Sequence, residues 1–193
     1  IFVLEMAKQE VSGFLPESNK EEGARALRRY TAAIEGNFIA WMGVAALCAK
    51  SVQGRYAASE NLWVEVKDDH AGMLRNFARC AQCEPSLPDY QAVSVEVENI
   101  RKMVSRLSGL ECLALMAVLE NTSSVFVPWL EKVAAELGST DLKYTKIHGE
   151  ADIDHADQFA WALSHEMELH EKADSTLDNA VKTTVQFLKR IFV

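Results

Sequence analysis

Three residues in the stretch His148-Gly-Glu-Ala-Asp152-Ile-Asp-His155 fall at i, i+4 and i+7. On an α-helix these positions stack along one ridge over two turns. Two imidazoles and a carboxylate on one ridge form a donor set suited to iron or manganese. Alone, the run also fits a solvated polar face that carries two histidines by chance. Three other helical segments tip the balance, because each places a lone Glu or His where a core residue belongs.

Glu35 shares its face with Thr31, Ala32, Phe38, Ile39 and Met42. A carboxylate on that stripe needs a cation, a proton or a metal, since an unpaired buried charge costs several kcal/mol. His70 has Trp63, Val66, Met73, Leu74 and Phe77 around it, and Glu60 shares a stripe with Tyr56, Ala57, Trp63 and Val64. Glu120 has Leu113, Met116, Ala117 and Val127 on its face. Seven candidate ligands result: Glu35, Glu60, His70, Glu120, His148, Asp152 and His155. Helical bundles build carboxylate-rich dimetal sites from such inward donors on separate helices, and two metals roughly 3.5–4 Å apart need about this many ligands. Iron is favoured over zinc, because the set lacks thiolate.

The competing residues are weaker. Glu65 has Asn61, Asp68, Asp69 and Gly72 on its face when the helix is counted straight through, which reads as solvated. Glu111 lies near a helix start, where an acid suits the dipole. His165 and His170 are five residues apart, so their rings diverge, and both read as surface or helix-end residues. Cys80-Ala-Gln-Cys83 has no second close cysteine pair to complete a structural zinc site. With Cys48 and Cys112 it is expected to be free thiol in a reducing cytoplasm. Trp41, Tyr56, Trp63 and Phe77 are candidate walls of a substrate pocket, although core packing explains each of them equally well.

The elements that must position these groups are helices. With four prolines and nine glycines in 193 residues there is little room for hairpins, and no stretch alternates apolar with polar residues as a strand would. The spacing predicts helices over about 2–13, 20–51, 55–81, 90–107, 110–137 (with an interruption or kink near Asn121–Ser124 and Pro128), 142–172 and 175–192. The fold class expected is an all-α, single-domain bundle over 1–193. A net charge of −8 argues against nucleic acid or an anionic membrane as a partner. The longest apolar segment noted, 38–49, is too short to span a bilayer, and the first residues show no signal-peptide pattern.

In order and spacing, these residues resemble the haem-oxygenase-like dimetal oxidases and oxygenases, which share their fold with TenA thiaminases and haem oxygenase. That family carries a Glu on an early long helix and then a Glu and a His on the next core helix. A third Glu follows on a later helix, before a closing H-x3-D-x2-H run. Glu35, Glu60 with His70, Glu120, and His148/Asp152/His155 match in turn, over about residues 24–161. Some members put the second carboxylate one turn before the His, where this chain has Lys67. Facing the metals, Lys67 would instead pair with a substrate carboxylate. The resemblance implies two Fe(II) ions (Mn as the substitute), O2 as co-substrate and an external electron donor in some members. It also implies a small substrate, an amino acid or derivative first and a fatty acid second, handled in specialised-metabolite biosynthesis. Gly149 in the closing run is consistent with a loosely held helix. A homodimer is expected, C2 being the commonest symmetry. Two other functions compete: a metal-free thiaminase-like hydrolase using a carboxylate and Cys112, and a haem- or tetrapyrrole-binding helical module with His70 or His155 as axial ligand.

Overall fold

The computed structural model describes residues 2–16 and 19–193, and among these the side chains of all but 150–153. The described residues form nine α-helices and no strand. They are α1 (Phe2–Phe14), α2 (Lys20–Ile34), α3 (Asn37–Cys48), α4 (Val52–Lys67), α5 (His70–Cys80), α6 (Leu87–Val104), α7 (Gly109–Glu136), α8 (Lys143–Met167) and α9 (Ala173–Phe192).

Most helix starts follow from local chemistry. Asn19 caps α2 by accepting from Glu21 N, and Ser51 caps α4 by accepting from Gly54 N. Ser86 and Asp89 form a reciprocal capping box on α6, which satisfies two amides that the helix itself leaves unpaired. Two expected long helices are broken. The span 20–51 divides at Gly36, whose φ of 74° is open to glycine and strained for other residues. The span 55–81 divides at Asp68–Asp69. Asp69 takes a left-handed φ of 53° while its carboxylate accepts from Gly72 N, so it ends one helix and starts the next. The span 110–137 is the reverse case: α7 continues through Pro128 as one helix of 28 residues.

α7 is the central rod. It packs most extensively on α8 and also on α1, α9 and α3. It is long and apolar enough to cross a bilayer, a property not anticipated from the sequence, but 83% of its most apolar stretch is buried within the bundle. A single buried apolar cluster draws on all nine helices. Near its middle, the α2–α3 corner, the α4–α5 corner, the centre of α7 and the first half of α8 converge on one pocket.

Candidate metal centre

The α4–α5 corner brings Glu65 and His70 together. Glu65 is two residues from the end of α4, and His70 is the first residue of α5. Both are buried, at 4% and 2% exposure. His70 Nδ1 lies 2.8 Å from Glu65 Oε1. From α8, His148 adds a third donor, with Nε2 3.6 Å from the same oxygen. Its other nitrogen, Nδ1, donates to the Tyr144 carbonyl at 2.8 Å. That bond orients the ring and turns Nε2 toward Glu65. Ligand atoms of Glu65, His70 and His148 all lie within 4.8 Å of one another, close enough to hold one metal ion. Burial alone would raise the Glu65 carboxyl, but hydrogen bonds and charge from His148 and His70 outweigh it and hold it at about 2. The oxygens are therefore ionised and ready to ligate.

Glu120, buried at the middle of α7, lines the same pocket. His155 from α8 approaches it, with Nδ1 3.7 Å from Glu120 Oε2. Glu35, at the α2–α3 corner, also lines the pocket, but its carboxylate is turned to Arg75 of α5, whose Nη1 donates at 2.7 Å. That carboxylate holds the Arg75 guanidinium above its ordinary value. Asp152 lies outside the described side chains. The remaining wall is apolar, with Ile34, Phe38, Ile39, Leu74, Leu119 and Phe126 around about 550 Å³ of empty space that includes the open mouth. An apolar wall with a few converging polar groups has the character of a small-molecule site. Tyr30 and Tyr144 also line it and share a buried hydroxyl–hydroxyl hydrogen bond of 2.7 Å.

Six residues are placed otherwise than expected. Glu60 is exposed; the carboxylate that faces the histidines is Glu65. Counting periodicity through 68–72 had put Glu65 on a wet face, yet α4 ends at Lys67, so Asp68, Asp69 and Gly72 are not on its face at all. The face that α4 buries is Gly54, Ala57, Ala58, Asn61 and Glu65, and Asn61 is tied there by bonds to Ala57 O and Gln158 Oε1. Lys67 is exposed. Tyr56 and Trp63 are exposed as well, so they do not line the pocket. Trp41 is buried in the core, edge-on to Phe187 at 5.6 Å, away from the pocket. Sequence reasoning missed Glu65 as a donor, together with the Tyr30–Tyr144 pair. The usable signals were the Asp68-Asp69 doublet, a cap just before His70, and the small-residue row 54, 57, 58, 61 that points to Glu65.

A carboxylate and two imidazoles from three helices of an all-α bundle thus meet in a buried pocket, in an arrangement that could hold a metal ion. The chain is a member of the family of iron-containing redox enzymes with the haem-oxygenase-like fold, whose profile matches residues 26–186. No curated protein matches it.

Proposed function

We propose that the protein is a non-haem dimetal enzyme that uses O2 to oxidise a small metabolite. The observation that carries this reading is the buried Glu65–His70–His148 group in the same pocket as Glu120 and beside His155. Its donors fit the cofactor: oxygen and imidazole nitrogen without thiolate suit iron. Glu65, His70 and His148 would hold one ion. Glu120 and His155 would hold the second, joined by Asp152 and by Glu35 once its carboxylate leaves Arg75. Bound iron would supply the O2 chemistry.

The chain's own residues do the rest. The Tyr144 carbonyl orients His148. The proton between His70 Nδ1 and Glu65 Oε1 occupies a place that a cation would take, and it would have to leave before both atoms could serve as ligands. The apolar wall excludes water and takes the hydrocarbon part of a substrate, for which an amino acid or its derivative is the first choice and a fatty acid the second. N-oxygenation, C–C cleavage, decarboxylation and nitrile formation are the reaction types in scope.

The thiaminase-like alternative finds less support. Cys112 is fully buried and does not line the pocket. Its thiol is pushed far up, first by its hydrogen bond with Cys48 and then by burial, which is the wrong direction for a nucleophile. The haem-binding alternative needs one axial imidazole set against flat apolar walls, whereas here His70 and His148 both face the Glu65 carboxylate.

The test is anaerobic ferrous titration followed by O2 exposure with stopped-flow absorbance. Two equivalents of iron per chain, and an O2-dependent transient that decays faster with one class of substrate, are expected. No iron uptake, or a Soret band on haem addition with no ferrous binding, overturns the reading.

A further inference from the structure

α4 is built inside out. Its inward face is small or polar, made of Gly54, Ala57, Ala58, Asn61 and Glu65. Its large apolar residues point away from the bundle: Val52, Tyr56, Trp63 and Val66 are 68%, 58%, 63% and 53% exposed. At about 100° per residue, positions 52, 56, 59, 63 and 66 fall within an arc of roughly 80° opposite the buried face. Only Ser59 interrupts the apolar row. Arg55, Glu60 and Lys67, all exposed, flank the arc without entering it. The inward face is already covered by the bundle, and a contiguous exposed apolar row on the opposite side is how a partner site announces itself.

The order of the side chains says which partner. From either end the row reads Val, aromatic, Ser, aromatic, Val. Val52 and Val66 each lie seven residues from Ser59, and Tyr56 and Trp63 lie three and four residues from it. A two-fold axis between antiparallel helices sets residue i opposite residue j with i + j constant, and the surface it joins must complement itself. With that sum at 118–119, Val52 meets the second copy's Val66, Tyr56 meets the second copy's Trp63, and the small Ser59 falls at the closest approach. An unrelated partner would impose no such reversal symmetry. We propose that the outer face of α4 is a homodimer interface in which two copies pair antiparallel across Ser59.

Each flanking aromatic pair has room to stack offset or edge-on. The row extends about 21 Å, and on its own falls short of the roughly 800 Å² per partner of a standard interface. Two chains of net charge −8 also repel. The dimer is therefore an exchanging one in the micromolar range, and it tightens as salt screens the repulsion. It does not depend on metal.

Sedimentation of the full chain across the micromolar range, at low and high salt, reads the association directly. Monomer–dimer exchange that strengthens with salt is expected. Trp63→Glu, which acts twice per dimer, weakens it at least about 100-fold with an unchanged helical spectrum. The register is read by oxidative cross-linking under copper–phenanthroline, with the unmodified chain as blank. Ser59→Cys links to itself. Val52→Cys does not, but links to Val66→Cys when the two variants are mixed. A chain that stays monomeric throughout overturns the proposal. So does a dimer indifferent to Trp63→Glu, or a Val52→Cys self-link, which would mean parallel pairing.

Discussion

Two buried carboxylates stand at opposite ends of α4, and both are paired with histidine. At its C-terminal end, Glu65 accepts from His70 and faces His148. At its N-terminal end, Glu166 of α8, wholly buried, takes the amides of Lys50 (3.0 and 3.1 Å) and Ser51 (2.7 Å) and the Nε2 of His170 at 3.2 Å. In each case burial raises the carboxyl and hydrogen bonding outweighs it, so both are held below the usual carboxylate range. What differs is what the partners can become. Backbone amides are fixed donors and never ligands, so Glu166 is a brace that satisfies the entrance to α4. Imidazoles can exchange a proton for a metal, and the space around Glu65 is an open pocket. Around Glu166 there is none, since a Cβ added at Gly109 would collide with its carboxylate. A buried Glu–His pair is therefore weak evidence for a metal. Its remaining partners and the free volume beside it decide.

Substitutions can sharpen or break that contrast. The largest effect is expected from Glu65→Gln, which should weaken the tighter ferrous equivalent by more than about 100-fold in anaerobic titration, while Glu166→Gln leaves it intact. Equal losses in both variants would erase the distinction. His155→Ala should weaken only the second equivalent, by roughly 10–100-fold, and remove O2-dependent turnover with the helical fold preserved. Loss of both equivalents would mean the two ions do not bind independently.

Glu166→Gln should instead act on stability, costing about 2 kcal/mol in urea unfolding of the metal-free protein at pH 7. Its sign with pH is fixed. A carboxyl depressed in the folded state stabilises fully above its unfolded value of about 4.3, and that contribution fades as pH falls through the folded value. The gap between the variant and the wild-type chain should therefore narrow as pH falls below that value, and a gap that widens on acidification would contradict the brace. The smallest effect is reserved for Glu60→Ala: no change in iron binding, and stability within about 0.5 kcal/mol.

Glu120 was legible in the sequence because it is a polar residue on an apolar stripe that stays inside one helix; His70 was legible from Met73, Leu74 and Phe77 downstream of it in α5, although Trp63 and Val66 lie across a joint, and His148 from its spacing to His155. Glu65 was not, because its stripe was counted across the Asp68–Asp69 joint, where the helix axis changes direction and the 3.6-residue period is lost. Gly36 hid a second joint in the same way, inside an apolar run that otherwise reads as continuous. Tyr56 and Trp63 misled for a different reason. Their size suggested a pocket wall, but α4 approaches α7 and α8 through glycine and alanine, and close backbone approach left the large side chains outside. The helical class and the family followed from composition and from the order of the donors, both of which tolerate misplaced joints.

Gly109 has a reach beyond its own surroundings. A methyl group there would lie 2.8 Å from both the Cys48 carbonyl oxygen and the Ala49 Cα, so α7 rests on the α3–α4 corner backbone against backbone. Glu120 stands eleven residues further along the same rod, about 16 Å away. The seating at the base thus sets the height of that carboxylate in the pocket it shares with Glu65 and His148, much as a shim sets the gap between two electrodes. In a close-packed interior such an offset is transmitted rather than absorbed, so the position of Glu120 relative to Glu65 can be tuned by a residue that touches neither.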